Sequence, residues 1–259
     1  MANPTADTLL NVTVESLATF SGVGDPSYDY DGKNERGGAA VLKAQLGILQ
    51  QKPRPVQFAI HHELAAKYTP ALVEKFKADT SVLGAPARLL NVISYTPYFV
   101  RFTKTPAGKD ITSIFASRIA QLSDNNTFPL SQDEIAEIGQ FFATLVVLQG
   151  QNGISEDDKK ALLTRFKSWL RDSFAGDTSE RCLAVLNASR EMQPMFDSIK
   201  HNLEGPLNKC GGPQCQKTTR TDGASLLKCS KCKTSVYCDT DHQREAWPEH
   251  KRLCFPATF

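Results

Sequence analysis

The C-terminal fifth of the chain concentrates the side chains that bind soft divalent metal ions. Residues 206–259 contain six of the seven cysteines and two of the five histidines. They form four short pairs: Cys210 and Cys215, Cys229 and Cys232, Cys238 and His242, and His250 and Cys254. Thiolate and imidazole are the ligands that Zn²⁺ prefers. Eight such ligands are enough for two closed tetrahedral sites, which leave no coordination position open for catalysis.

The spacing within these pairs suits zinc coordination. Two residues separate Cys229 from Cys232, so a tight turn can direct both sulfur atoms at one ion. An i,i+4 spacing, as in Cys238 and His242, places two ligands on one face of a helical turn. The spacing alone leaves open whether consecutive or alternating pairs share an ion.

The alternative is a run of buried cysteines without metal. The large apolar side chains of this segment are mostly the following: Leu226, Leu227, Val236, Tyr237, Trp247, Leu253 and Phe255. A unit of about fifty residues with so small a core scarcely folds unaided. A structural zinc ion contributes on the order of 10 kcal/mol or more to folding. The sequence therefore predicts zinc.

The cluster resembles the MYND-type zinc finger. The signature of that family ends in Tyr-Cys, three residues, a ligand and Gln, followed by Trp, His-Lys and a last Cys. The matching residues here are Tyr237, Cys238, His242, Gln243, Trp247, His250, Lys251 and Cys254. The resemblance covers residues 210–254 and implies a small, zinc-stabilised C-terminal finger.

The resemblance also implies how the ligands pair. In the cross-braced pattern of the family, one zinc ion would be held by Cys210, Cys215, Cys238 and His242, and the other by Cys229, Cys232, His250 and Cys254. The chain departs from the family in two places. Four residues separate Cys210 from Cys215, where the family usually has two, and His242 stands where the family most often has cysteine. Both departures concern the first site.

The resemblance implies recognition of a partner protein through a short, proline-containing peptide, in settings that include transcriptional regulation. A zinc-stiffened hairpin beside a tryptophan is a preorganised platform for an extended peptide. The residues that match the family's peptide face are Ser230, Gln243 and Trp247. Gln243 and Trp247 are four residues apart and share one helix face. The other interpretation of Trp247 is that it packs in the small core of the finger.

Nucleic-acid binding is a weaker alternative. The formal net charge of the chain is +2, and the zinc-loaded tail also carries only about +2. Lys228, Lys231 and Lys233 cluster on the proposed hairpin, but no finger helix with alternating basic and amide residues is present to enter a groove.

A SET-domain lysine methyltransferase is the other alternative, because MYND fingers also occur in that class of enzyme. Its catalytic domain is rich in β-strands and carries Asn-His and Gly-Glu segments. No such motif precedes this finger. We therefore expect a binding protein that is not an enzyme.

The first 204 residues contain a single cysteine, Cys182, and have helical patterns throughout. One helix follows Ser131, which forms a capping box with Glu134. Another begins at Ser155, with an apolar stripe at Leu162, Leu163, Phe166, Trp169, Leu170 and Phe174. Weaker patterns predict helices over 38–51, 56–67, 70–79, 87–95, 110–122 and 178–201. No repeat of 34–45 residues is evident. We expect an all-α main domain, built as a helical bundle or an irregular stack of helical hairpins.

The change in cysteine content places a boundary near Gly205 and Pro206, which are expected to stop a helix. The chain is thereby divided into a helical domain (1–204), a linker (205–209), the finger (210–254) and a tail (255–259).

Composition indicates an ordinary soluble protein, with 41% hydrophobic and 22% charged residues. The first 20 residues lack the basic start and continuous apolar core of a signal peptide. The most apolar run, 141–148, is too short to span a membrane. We expect an intracellular protein with reduced thiols and no membrane partner; nucleus and cytoplasm are not distinguished.

Overall fold

The computed structural model describes residues 11–24, 35–122, 130–171 and 176–259. Within these ranges ten α-helices precede a two-stranded antiparallel hairpin and a last helix. The helices are α1 (Val14–Phe20), α2 (Glu35–Gln50), α3 (Arg54–Ala78), α4 (Ala85–Ile93), α5 (Pro97–Thr103), α6 (Ile111–Ala120), α7 (Gln132–Gln149), α8 (Glu156–Arg171), α9 (Gly176–Leu186), α10 (Gln193–Asn208) and α11 (Thr240–His250). The strands are β1 (Leu227–Lys228) and β2 (Val236–Tyr237), and a 3₁₀ turn (Lys251–Leu253) follows α11. The predicted combination of an all-α domain and a small C-terminal finger is confirmed.

A chain of buried phenylalanine rings joins four helices of the core. Phe141 of α7 contacts Phe99 of α5 and Phe115 of α6, with ring centroids 6.3 and 5.0 Å apart. Phe115 in turn contacts Phe76 of α3 at 6.0 Å. Buried aromatic pairs of this kind stabilise a core beyond their buried area. They fix α3 and α5, the two helices on which the C-terminal tail packs.

The predicted start of α7 is confirmed, and it has a tertiary role as well. Ser131 and Glu134 form the capping box, with the Glu134 N–H donating to Ser131 Oγ at 3.3 Å. The Glu134 carboxylate also accepts a hydrogen bond from Arg88 of α4 at 2.8 Å. Glu137, one turn later, accepts from the same guanidinium at 2.6 Å. One arginine therefore ties the capped end of α7 to α4.

The apolar stripe of α8 is confirmed in part. The helix begins directly after Ser155, and Leu162, Phe166 and Trp169 are buried. Leu170 is 39% exposed, because it lies about 100° around the helix from Trp169 and points away from the core. Phe174 lies outside the described residues.

The two helices predicted over 56–67 and 70–79 are one continuous helix, α3, which passes through Pro70. A proline inside a helix leaves the carbonyl four residues earlier without its usual donor. Here that carbonyl belongs to Ala66, and the N–H of Thr258 in the C-terminal tail donates to it at 3.1 Å. The missing hydrogen bond is thus supplied by tertiary structure, and the helix does not break.

The end of the helical region differs from the sequence prediction at two points. The segment predicted as one helix over 178–201 is divided between α9 and α10, with Ala188 in a left-handed conformation (φ 47°) between them. The expected stop at Gly205 and Pro206 is wrong, since α10 continues to Asn208. Its last turns are held because Leu203 and Leu207 pack against the core. The predicted linker is therefore helical except for its last residue, and the domain division itself stays a prediction.

None of the described helices is both long and apolar enough to cross a membrane.

Candidate metal centre

The short hairpin brings the second cysteine pair into a tight loop. β1 pairs with β2 in antiparallel register, and the loop between them carries Cys229 and Cys232. The N–H of Cys229 donates to the carbonyl of Ser235 at 2.9 Å, and the N–H of Lys233 donates to the carbonyl of Cys229 at 3.0 Å. Lys233 adopts a left-handed conformation with φ 61°. This geometry directs both sulfur atoms towards one point, as the spacing predicted.

The helix α11 carries both histidine ligands, one at each end. Asp239 is its N-cap, and its carboxylate accepts a hydrogen bond from the His242 N–H at 2.8 Å. The cap thereby places His242 in the first turn, next to Cys238. His250 is the last residue of the helix. Asp239 was not singled out by the sequence analysis, although an aspartate three residues before a ligand on a helix start is a recognisable capping signal.

The first candidate site consists of Cys210, Cys215, Cys238 and His242, whose ligand atoms all lie within 4.8 Å of one another. The Cys238 sulfur lies 3.7 Å from that of Cys210 and 3.9 Å from that of Cys215. The Nδ1 atom of His242 lies 2.9 Å from the Cys238 sulfur. Ligands bound about 2.3 Å from a tetrahedral zinc ion are about 3.8 Å apart. The donor set and its spacing therefore fit Zn²⁺.

The second candidate site consists of Cys229, Cys232, His250 and Cys254, again with all ligand atoms within 4.8 Å. The sulfurs of Cys229 and Cys254 are 3.7 Å apart. The Nε2 atom of His250 lies 3.4 Å from the Cys229 sulfur and 3.7 Å from that of Cys232. The two histidines thus present different ring nitrogens, Nδ1 at the first site and Nε2 at the second. The alternating, cross-braced pairing implied by the family resemblance is confirmed.

The longer spacer between Cys210 and Cys215 is accommodated at a glycine. A side-chain Cβ on Gly212 would lie 2.6 Å from the His242 ring, so only glycine permits the loop to approach this ligand. The N–H of Gly212 also lies 3.4 Å from the Cys210 sulfur and donates to it. Gly212 was not singled out from the sequence; the Gly-Gly pair directly after Cys210 was the available signal.

Burial and hydrogen bonding give the clustered thiols different pKa values. Burial raises the pKa of Cys238 and of Cys254 to about 12. Burial also opposes ionisation of Cys232, but hydrogen bonds from His250 and Thr234 outweigh it and lower the pKa of that thiol to about 5. Six clustered thiols cannot all ionise without a neutralising cation, and Zn²⁺ binding deprotonates them. The arrangement is that of a structural metal centre.

Residues 209–254 match the family model of the MYND finger. This part of the chain is a MYND finger. It is a zinc-binding protein-interaction module with two zinc sites, formed by the two sets of ligands described above. The match covers residues 209–254 and does not extend into the helical domain.

The curated relatives of the chain match it over short segments. Human Egl nine homolog 1 is 50% identical over 30 residues, which are 12% of this chain and 7% of that protein. The human N-lysine methyltransferase SMYD2 is 47% identical over 38 residues, 15% of this chain and 8% of its own length. The human histone-lysine N-methyltransferase SMYD3 is 48% identical over 29 residues, 11% of this chain and 7% of its own length. The chain therefore covers less than a tenth of these relatives. No solved structure matches the chain.

The three residues predicted to bind peptide all reach the surface of the finger. Ser230 is exposed in the hairpin loop, and Gln243 is half-buried on α11. Trp247 is 43% exposed, and its ring lies 5.8 Å from that of His250. The buried side chains of the finger are instead five of its six cysteines, all but the half-buried Cys215, together with Val236, Tyr237 and Thr234.

Proposed function

We propose that this protein is an intracellular, non-enzymatic adaptor whose MYND finger binds an extended, proline-containing peptide of a partner protein. Trp247 would cover the proline ring, while Gln243 and Ser230 would hydrogen-bond the peptide backbone. A flat indole surface is well suited to a proline ring, because both are rigid and lose little conformational entropy on contact.

The exposure of Trp247 is the observation that carries this proposal. It lies on α11, a helix with no buried residue, and 43% of its surface is accessible. A tryptophan that served only to fill the core of the finger would be buried, as Trp169 of α8 is at 8%. Tryptophan is enriched among the residues that contribute most of the binding energy at protein interfaces.

The electrostatic surroundings favour a peptide over a nucleic acid. Lys228, Lys231 and Lys233 are exposed on the hairpin. The helix α11 carries the acidic side chains of Asp241 and Glu249, which form ion pairs with Arg244 of the same helix and with Arg252 of the following 3₁₀ turn. A phosphate backbone would meet both signs of charge, whereas a neutral peptide backbone would not be repelled.

The proposal includes no catalytic activity. Its support is that each finger site already has four protein ligands, which leaves no open coordination position for a reacting group. The identity to methyltransferases is confined to 29–38 residues of the finger. Incorporation of labelled methyl groups into histones, or into the protein itself, would contradict this part of the proposal.

Tryptophan fluorescence can test peptide binding directly. The chain has two tryptophans, so Trp169→Phe leaves Trp247 as the reporter. Synthetic ten-residue peptides with one or two prolines should shift the emission to shorter wavelength, and the same peptides with alanine in place of proline should not. Trp247→Ala, measured by calorimetry, should weaken binding at least about tenfold.

Two controls separate a lost contact from a lost fold. Native mass spectrometry of Trp247→Ala should still show two zinc ions, since this side chain is outside both ligand sets. Leu170→Ala removes a comparably exposed apolar side chain from the helical domain and should leave peptide binding unchanged. Binding that is insensitive to proline, or zinc loss in Trp247→Ala, would overturn the proposed peptide site.

A further inference from the structure

A tyrosine of the helical domain holds the backbone on both sides of a zinc ligand. Tyr98 of α5 is fully buried, and its hydroxyl accepts a hydrogen bond from the N–H of Phe255 at 2.8 Å. The same hydroxyl lies 3.0 Å from the carbonyl oxygens of Leu253 and Phe255, to one of which it donates. These two residues flank Cys254, a ligand of the second site. Its position is therefore set by a side chain outside the finger.

An arginine one turn further along α5 reaches a second ligand of the same site. Arg101 Nη1 donates to the carbonyl of Cys232 at 3.1 Å. Its Nη2 donates to the carbonyl of Phe259, and the guanidinium lies 5.1 Å from the centre of the Phe259 ring. The planar guanidinium makes these contacts at once because its N–H groups point in fixed directions. Arg101 thus joins the hairpin loop to the C-terminal tail.

The tail is anchored at its far end as well. The Phe259 ring packs edge-on against Phe102 of α5, with centroids 5.1 Å apart. The N–H of Thr258 donates to the Ala66 carbonyl of α3. Residues 255–259 are therefore held by two helices, and they hold the backbone that leads out of Cys254.

Among the described residues, no hydrogen bond from the helical domain reaches a ligand of the first zinc site. Within the described parts of the chain, the hydrogen bonds that reach its ligands come from the finger: from Cys210, Gly212, Lys217, Cys238 and Asp239. This site is connected to the helical domain by the chain itself, since Cys210 follows α10 after one residue, and by packing of α10 against β2. The two sites of one finger therefore differ in what fixes their ligands.

We propose that Tyr98 and Arg101 are positioning residues of the second zinc site, so that the helical domain contributes to zinc retention at that site and not at the first. Ligands that are already in place lose less entropy when an ion binds. The guanidinium also lies beside a site whose three thiolates and one Zn²⁺ leave a net negative charge, which it stabilises. The finger is then not an autonomous module, and one of its two ions depends on residues more than a hundred positions away.

Site-resolved cysteine alkylation of the full, zinc-loaded chain tests this proposal. The protein is exposed to EDTA and N-ethylmaleimide, and the rate of modification of each cysteine is read by peptide mass spectrometry. Arg101→Met keeps an apolar stem of similar length but removes the hydrogen bonds. We expect it to raise the rates at Cys229, Cys232 and Cys254 about tenfold, the lower end of the range for lost outer-shell contacts. The rates at Cys210, Cys215 and Cys238 should stay within about twofold of the parent.

A matched control distinguishes positioning from general loss of stability. Arg88→Met removes ion pairs with Glu134 and Glu137 of α7, which lie in the helical domain and bond no finger residue in the described ranges. It should leave the ratio of rates between the two sites unchanged. If Arg101→Met accelerates both sites equally, or neither, the proposal is wrong.

A second variant keeps the test decisive if Arg101→Met fails to fold. Tyr98→Phe removes a single hydroxyl and keeps the buried ring. It should also raise the rates of cysteine modification selectively at the second site, by about threefold or more. The largest increase is expected at Cys254, because its neighbours lose their hydrogen bonds. If Tyr98→Phe changes the rates of modification at the two sites by the same factor relative to the parent, the proposed role of this residue is wrong.

Discussion

The Oγ atom of Ser235 lies 3.2 Å from the Nδ1 atom of His250, on the side of the ring away from the zinc ligands. Nε2 faces the sulfurs of Cys229 and Cys232, so when it binds the ion the proton of the neutral ring is on Nδ1 and is donated to the serine. Ser235 therefore selects the tautomer and the orientation in which His250 can bind the second ion. The hydroxyl was not singled out in the sequence, where it is one of many serines.

Ser235→Ala should weaken zinc binding at the second site by about tenfold or more, since loss of an outer-shell partner leaves the imidazole free to rotate. Competition with a chromophoric zinc chelator measures the affinity. Ser230→Ala, an exposed serine in the same loop, is the matched control and should retain the parental affinity. Equal affinities in both variants would show that the serine does not orient the ring.

Removal of zinc should unfold the finger and release the tail while the helical domain stays folded. The phenylalanine core that joins α3, α5, α6 and α7 contains no finger residue. After chelation, hydrogen exchange should become fast at the amides of residues 209–259, including Phe255 and Thr258, and stay slow in α7. Native mass spectrometry should show the loss of two ions. Slow exchange retained in the zinc-free finger would contradict a zinc-dependent fold.

His62 should make the protein sensitive to mild acid. Its side chain is 9% exposed between the rings of Tyr95 and Tyr98, and burial lowers its pKa to about 4, with a smaller effect from neighbouring His61. In the unfolded chain a histidine titrates near pH 6.5. Between these values the unfolded state binds more protons, so stability falls as the pH drops from about 7 towards 4.

For His62 the expected loss in the free energy of unfolding between pH 7 and pH 5 is up to about 2 kcal/mol. His62→Phe should remove that part of the dependence, as measured by urea unfolding at both pH values. Comparison of the two proteins cancels other titrating groups and the acid release of zinc. A variant with the same pH dependence as the parent would refute the assignment to His62.

Two glycines in helices should respond to alanine in opposite directions. A Cβ on Gly139 of α7 would lie 2.6 Å from the Thr178 methyl group and 3.4 Å from the Cys182 sulfur of α9. Gly139→Ala should therefore destabilise the protein by about 1–3 kcal/mol through overpacking. Gly47 of α2 has nothing within 4 Å of the corresponding position. Gly47→Ala should stabilise by about 0.5–1 kcal/mol, because alanine is the better helix former. Thermal unfolding of both variants measures the difference, and a stabilising Gly139→Ala would show that α7 and α9 can move apart.

Local signals in the sequence were enough to predict the metal ligands and several helix starts. A zinc ligand pair such as Cys229 and Cys232 is recognisable because the turn that joins it is only a few residues long. The capping box of Ser131 and Glu134 is recognisable for the same reason. In both cases all the interacting groups lie within one turn of chain, so their spacing alone carries the information.

The errors at Pro70 and at Gly205 with Pro206 have a different origin. Both rest on the rule that proline and glycine end helices, which describes a helix in isolation. At Pro70 the freed carbonyl of Ala66 is satisfied by Thr258, 192 residues later in the chain. At the end of α10, packing of the last turns against the core keeps the helix intact. Tertiary contacts outweighed a local preference in each case.

The sequence by itself determined the helical class of the main domain, the eight ligands and the metal they bind, because these depend on residue types at short, regular spacing. The tertiary structure alone decided that α5 supports one zinc site and not the other, and that Trp247 stays on the surface. Tyr98 and Arg101 have no feature that separates them from other helix residues. Their partners lie 131 to 158 residues away, and a contact over such a distance leaves no periodic pattern in the chain.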